Sequence, residues 1–439
     1  MTADESGPAA APKSQLRGLV DIRPGEGAAL AASFIMFFAL LSAYYIVRPV
    51  RDEMGVAAGK DALHHIFSIV FVVMLAAVPL FGWLASRFPR RTVLPAVYLF
   101  FVLNLIGFWA LLKSDASGPL SAAAFFVWAS VFNLFVVSLF WSLMSELWSN
   151  AEAKRLFGFI GAGGTAGALA GPALTQWLAA SVPVADLLLV SAALLTVSML
   201  AGIAVRHVHR GAAGDDRSPA GGGILDGASK IFASPYLGKI ALYVFLANIV
   251  GTFFYLEQSR LVGATLASSA ERVQFFASRD LIVGFATLAI QMFGTARIID
   301  RLGLTGGLIA LPLTATAGTL ALAYDPVLAI AGAVMVAERV IGFALSNPAV
   351  KIMFTLTPAD EKYKVQNFID TVVYRGGDAV SGWMFAGISG GAGFASILTA
   401  LAALPVAALW LWTARDLGHE HARRAARAPI APSQNRSGA

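Results

Sequence analysis

Fourteen side chains able to carry charge or bond strongly to a polar solute stand in or beside stretches that are otherwise apolar. They are Tyr45, Arg48, Arg51, Asp52, Glu257, Arg260, Arg279, Asp280, Glu338, Arg339, Asp370, Tyr374, Arg375 and Asp378. An ionisable group at membrane depth costs a few kcal/mol or more, so it is rare without a role. Arginine offers a planar fork that fits a carboxylate or a phosphate. A buried carboxylate beside arginine is also a place where a proton can be taken up or released. Glu257, Glu338, Asp370 and Asp378 all qualify by position. Asp370, Tyr374 and Asp378 are four apart, so on one helix they share a stripe, and Arg375 reaches Asp378 at i,i+3. Such a stripe must face water or a partner helix, and Glu338-Arg339 is the expected partner. The alternative is a structural ion-pair network that pins two helices together. His64 and His65 titrate near neutrality in principle, yet a pair at a helix mouth reads as interfacial.

The elements that hold these residues are about twelve apolar runs, each able to cross a hydrocarbon core of ~30 Å. The expected spans are 28–47, 65–85, 93–112, 121–147, 157–179, 184–204, 239–259, 276–296, 305–323, 327–353, 367–388 and 394–413. Composition agrees: 57% of the 439 residues are hydrophobic and 13% charged, against about 25% charged in soluble domains. Mean hydropathy is +0.71. Sorted by side, with residues near a span end counted with the adjoining gap, 23 of the 32 Lys and Arg go with the termini and the even-numbered gaps and seven with the odd-numbered gaps, leaving Arg339 and Arg375 inside spans. The positive-inside rule then predicts that both termini are cytoplasmic. No cleavable leader is expected, so the first span serves as an uncleaved anchor.

The predicted organisation is a disordered cytoplasmic tail (1–26), a six-helix bundle (27–205), a linker (206–238), a second six-helix bundle (239–414) and a basic tail (415–439). In the linker, Ile224, Leu225, Ala228, Ile231 and Phe232 recur at helical spacing. This reads either as an amphipathic helix on the inner leaflet or as an ordinary loop helix. The fold class is therefore all-α: twelve transmembrane helices in two pseudo-symmetric six-helix bundles, with a path near the midplane.

The bundles repeat a loop. Gly82-Trp83-Leu84-Ala85-Ser86-Arg87-Phe88-Pro89-Arg90-Arg91 follows the second span, and Ala296-Arg297-Ile298-Ile299-Asp300-Arg301-Leu302-Gly303 follows the eighth. Both match G-x-x-x-D-R-x-G-R-R imperfectly. In this the chain resembles the major facilitator superfamily over essentially its whole length. The resemblance implies a cytoplasmic gate at Arg87, Asp300 and Arg301. Ser86 cannot supply the anion, so Glu146 or Glu152 would have to. In the fifth span, Gly158, Gly167 and Gly171-Pro172 fit G-x8-G-x3-G-P-x2-G, with Thr175 at the last Gly. The superfamily associates this pattern with antiporters and exporters. Physically, Gly163, Gly167 and Gly171 lie on one face and allow close helix packing, and Pro172 adds a bend.

The run Tyr44-Tyr45-Ile46-Val47-Arg48-Pro49-Val50-Arg51-Asp52, with Tyr374-Arg375-Gly376-Gly377-Asp378, resembles the ATP:ADP antiporter branch, also called NTP/NDP exchange transporters. That resemblance implies a substrate path through Arg48, Arg51, Asp52, Arg375 and Asp378. Nucleotide exchangers lean on membrane-embedded Lys, and here no span interior holds one. The family is therefore borrowed without its substrate.

Other classes are excluded. No Gly-x-x-x-x-Gly-Lys-Ser/Thr or His-Glu-x-x-His motif occurs, and no Gly-x-Ser-x-Gly elbow. The Gly161–Gly167 run has no preceding strand and no Lys. With no cysteine, disulfides and Cys-ligated metals are excluded, and the +6 charge belongs to loops rather than to a nucleic-acid surface. No enzyme activity, metal or cofactor is expected. The expected function is secondary transport of an anionic or zwitterionic metabolite across a bacterial inner membrane, by exchange or with protons as coupling partner. The expected partners are the small-molecule substrate and the lipid bilayer, without nucleic acid, and the chain is expected to act as a monomer. Two alternatives stay open: an exporter of a secreted molecule such as a siderophore, and a membrane sensor or scaffold that does not transport.

Overall fold

The computed structural model describes residues 22–59, 62–114, 117–208, 224–389 and 395–427. Most of the expected N-terminal tail, the linker stretch 209–223, Lys60 and the chain beyond 427 lie outside the described residues.

In lipid every backbone N–H and C=O must be satisfied within its own segment, which leaves an apolar chain little choice but helix. The first bundle comprises α1 (Gly27–Ala57), α2 (Leu63–Arg87), α3 (Arg90–Lys113), α4 (Pro119–Leu147), α5 (Asn150–Leu178) and α6 (Leu187–Val208). A short helix, α7 (Ile224–Ala233), precedes α8 (Pro235–Thr265), α9 (Ser269–Phe293), α10 (Thr295–Tyr324), α11 (Leu328–Leu356), α12 (359–389) and α13 (Ala395–Arg427). Ten of these are long and apolar enough to cross a membrane. With α12 and α13 they make twelve long helices. Where α1 begins is called the proximal end below, and where it ends the distal end.

The contacts repeat between bundles. The first helix of each packs on the fourth, fifth and sixth, as α1 on α4, α5 and α6, and as α8 on α11, α12 and α13. The third packs on the sixth in both, α3 on α6 and α10 on α13. The bundles meet through α2 against α12 and α5 against α9, the second helix of one on the fifth of the other, and through α1 against α8 and α9. This is the two-fold arrangement that an internal repeat produces.

Caps and ties set where the charged helices start. Ser268 and Glu271 form a capping box at the head of α9, and Ser149 and Glu152 form one at the head of α5. At the proximal end, Arg155 of α5 reaches Glu26 before α1, with Nη2 to Oε1 at 2.8 Å. Arg155 holds the Glu26 carboxyl below its usual range. A depressed folded-state pKa contributes stability above the unfolded value and loses it as pH falls. Arg155→Ala is thus expected to be the less stable protein near neutrality. Its melting temperature should converge with wild type below about pH 4.3.

Several boundaries differ from expectation. α1 does not stop at residue 47 but runs on to Ala57, so Arg48 to Glu53 are helical. The expected loop at 297–304 is mostly helix, broken at Gly303, whose φ of 70° marks a kink inside α10. That left-handed conformation is open to glycine. α13 continues as helix to Arg427. α7 docks on the head of α12: Lys230 pairs with Glu361 at 2.6 Å, and Gly227 lies against the Lys364 carbonyl and Phe368. Ile231 is buried in that contact while Phe232 is exposed.

Candidate functional site

The extension of α1 brings its charges against α8 and α9. At 1.5 Å per residue, Arg48 lies roughly 14 Å below the distal end of α1, and Asp280 roughly 17 Å below the head of α9. Asp52, fully buried, is the centre. Its Oδ2 accepts from Arg279 Nη2 at 2.7 Å, and its Oδ1 from Arg51 Nη2 at 2.6 Å and Tyr255 OH at 3.2 Å. Arg279 also donates to Asp280 Oδ1 and to Gln258 Oε1. Arg48 Nε stands 3.3 Å from Asp280 Oδ2 and its guanidinium lies 5.5 Å from the Tyr45 ring. Arg51 lies over Phe126 and Arg279 over Phe276, each near 5 Å.

Glu53 continues the network. It accepts from Ser269 Oγ at 2.6 Å, and Arg272 Nη1 is 3.5 Å away. Glu53, Arg272, Tyr255, Gln258 and Ser269 were not singled out from sequence. The one signal in the sequence for Glu53 is its place beside Asp52. Among the described residues, every ion pair between the bundles lies at this distal end: Arg48–Asp280, Asp52–Arg279 and Glu53–Arg272.

Other expected site residues sit apart. Glu257 is held bidentately by Arg260, at 2.6 and 2.9 Å, on α8 alone. On α12, Arg375 Nη1 reaches Asp378 Oδ2 at 3.3 Å, and Thr252 of α8 donates to Asp378 Oδ1 at 2.6 Å. The stripe expected through Asp370 does not hold. Residues Ile369–Val373 form a π segment, and a wider turn shifts register by about one residue, or 100°. Asp370 is exposed and pairs with Lys351 at 3.5 Å. Tyr374 is exposed, with Arg375 5.5 Å from its ring, while Asp378 is buried.

The expected pairing of Glu338-Arg339 with α12 is also absent among the described residues, because α11 and α12 pack on α8 separately. Glu338 is half-buried, and a Cβ at Gly251 would stand 3.2 Å from its Oε1. Glu338 has no ion pair or hydrogen bond there, and Arg339 turns its Nε to Met335 Sδ. The proximal gate is not assembled either. Arg87, Asp300 and Arg301 are exposed and make no ion pair among the described residues. Glu146, a candidate substitute anion, faces Arg206 at 3.8 Å instead.

On α5, Gly163, Gly167 and Gly171 lie against the Phe34, Phe38 and Ser42 backbone of α1. Gly158 is not part of that face and has nothing near it. It is five residues before Gly163, which rotates it by about 140°.

Between the bundles is a cavity of about 120 Å³. Its polar lining is Tyr45 and Arg48 of α1, Thr165 of α5, and Asp280, Thr287 and Gln291 of α9.

A two-bundle helical chain with a polar cavity at the bundle interface, closed by ion pairs at one end, belongs to the class of membrane carriers. Residues 27–380 match the Major Facilitator Superfamily. The chain belongs to that superfamily of membrane transporters and is not an enzyme. Solved structures share the fold. A bacterial homologue of the human lysosomal transporter Spinster, in an inward-facing and unoccupied conformation, is 15% identical with a TM-score of 0.60, covering 91% of this chain and 99% of that one. The nucleoside transporter NupG, as its D323A mutant, is 13% identical with a TM-score of 0.63, covering 90% and 99%. A POT family transporter in complex with a thioalcohol-conjugated peptide is 13% identical with a TM-score of 0.62, covering 88% and 96%. No curated protein matches the chain by sequence.

Proposed function

We propose that the chain is a secondary carrier of a polar, anionic or zwitterionic small metabolite, working by alternating access. It would sit in a bacterial inner membrane with both termini cytoplasmic. The observation that carries this is the interface cavity walled by Arg48 and Asp280, beneath ion pairs that, among the described residues, tie the bundles together at the distal end alone. Arg87, Asp300 and Arg301 at the proximal end, exposed and without an ion pair among the described residues, support reading this as the state closed outward. Orientation is read by single cysteines in this cysteine-free chain. At Ser114 an impermeant maleimide should label from outside, and at Ser86 only from inside.

Two coupling modes fit. Exchange is the mode implied by the likeness of the Tyr44–Asp52 run to nucleotide exchangers. Proton coupling needs a carboxylate free to give up its proton. Among the described residues, three of Glu257, Glu338, Asp370 and Asp378 are ion-paired and Glu338 is not. The test is uptake and counterflow in proteoliposomes with labelled nucleotides, phosphorylated metabolites, amino acids and organic acids. Under proton coupling, Glu338→Gln keeps counterflow and loses uptake driven by a pH gradient. If wild type shows counterflow yet ignores the gradient, the carrier is an exchanger. Absence of flux for every compound in a folded protein would remove the transport reading for these substrates.

A further inference from the structure

Two buried polar atoms on the cavity wall accept or donate no hydrogen bond among the described residues, although one of them, Asp280 Oδ2, stands 3.3 Å from Arg48 Nε. Asp280 Oδ2 and Thr287 Oγ1 both lack a hydrogen-bond partner among the described residues, and both residues line the cavity. They are seven residues apart on α9, hence on one face, about 10 Å apart along the axis. A buried polar group left unpaired costs about 1–3 kcal/mol, so such atoms mark places that a bound solute or water satisfies. Asp280 is 3% exposed and its other oxygen is committed to Arg279. Beside it, Arg48 makes a single ion-pair contact, to Asp280, and its fork is not occupied bidentately.

Building on the transport reading, we infer that this cavity is the substrate site and that its substrate is a small zwitterion. The anionic end would take the free part of the Arg48 fork and the ammonium end Asp280 Oδ2. A hydroxyl or small polar group would reach Thr287. Charge and size support the assignment together. The charged side chains on the wall are Arg48 and Asp280, which pair with each other at 3.3 Å, so a solute with one charge of each sign can enter that pair without adding net charge. A multiply charged anion would leave buried charge uncompensated. About 120 Å³ holds some four waters, which is room for roughly five to eight linked non-hydrogen atoms. Drug-sized ligands need about 300 Å³ or more, so a nucleotide does not fit in this state. Gln291 spends one amide N–H on the Phe343 carbonyl, and its second N–H and its oxygen add no charge to the wall.

The test is thermal unfolding of the full chain in detergent with glycine, alanine, serine, β-alanine and glycine betaine. Acetate, methylamine, inorganic phosphate and AMP serve as comparison probes. At least one zwitterion should raise the melting temperature in a saturable way, where acetate and methylamine each fail. Thr287→Val keeps the shape and the fold, and should weaken a hydroxyl-bearing zwitterion roughly three- to tenfold while sparing glycine. Asp280→Asn should abolish the response, with its unliganded melting temperature reporting any folding defect. The proposal is overturned if phosphate or AMP stabilises as well as any zwitterion, if no zwitterion acts, or if Thr287→Val changes serine and glycine alike. Counterflow separates this from the transport reading. Saturable zwitterion binding without flux keeps the site and removes the carrier, and flux of an anion without zwitterion binding does the reverse.

Discussion

Arg279→Ala is expected to open the distal end and to abolish transport. Arg279 is 3% exposed and makes the shortest of the three ion pairs between the bundles, donating to Asp52 on α1 at 2.7 Å and to Asp280 and Gln258 on its own side. Removing one partner of a buried pair costs about 3–5 kcal/mol, chiefly because the other charge is left alone. Here the stranded group is Asp52, whose remaining partners, Arg51 and Tyr255, do not hold α9. In a two-state carrier that cost falls on the state in which the pair forms, so the closed-to-open ratio should shift by about two to nearly four orders of magnitude. A cysteine at Ala168, on the cavity wall, reads the shift directly. An impermeant maleimide added from the distal side should label it slowly in wild type and on the order of a hundredfold faster in Arg279→Ala. Arg279→Lys keeps the charge and loses the fork, so it should fall between. Equal labelling of wild type and Arg279→Ala, both folded, would falsify the idea that these ion pairs close the distal end.

Gly167→Leu is expected to leave little folded protein. A Cβ at Gly167 would run into the Phe38 carbonyl, which is backbone and cannot rotate away. Even Gly167→Ala must push α5 off α1. Overpacking of this kind costs typically 1–3 kcal/mol, and Leu adds three more carbons to the same clash. Ser42 Oγ, which donates to the Gly167 carbonyl at 3.4 Å, loses its partner as the helices part. The control is Gly158→Ala, which meets nothing within 4 Å and should hold or raise the melting temperature, since alanine is the better helix former by about 1 kcal/mol. The measurement is the yield of monodisperse protein and its melting temperature in detergent. Comparable values for the Leu variant and wild type would show that α1 and α5 do not need this approach.

The two variants also separate what was legible from what was not. The small residues four apart on α5 announced a packing face, and the structure fills that face with α1. Gly158 was grouped with them by pattern matching and falls off the face by simple helical rotation. Arg48, Asp52, Arg279 and Asp280 were visible as charges out of place. That Asp52 would bond Arg279, 227 residues away, was not, because pairing depends on how two bundles sit together. The α12 stripe failed for a local reason that sequence periodicity does not carry: a π segment at Ile369–Val373. The gate transferred by resemblance at Arg87, Asp300 and Arg301 is not assembled, since gate contacts belong to one conformational state and a motif belongs to all of them.

The sequence by itself determined the twelve long helices, their division into two repeating bundles and the excess of basic residues on one set of gaps. It could do so because each rests on a local requirement: a segment in lipid must satisfy its own backbone and bury its own apolar face. Only the tertiary structure decided which of fourteen candidate side chains meet, which end of the bundle is tied shut, and that Asp280 Oδ2 and Thr287 Oγ1 face one cavity wall without a hydrogen bond among the described residues. Those outcomes depend on relative helix rotation and depth. They change with a single added residue per turn or a few ångströms of sliding, differences that leave the hydropathy pattern unaltered.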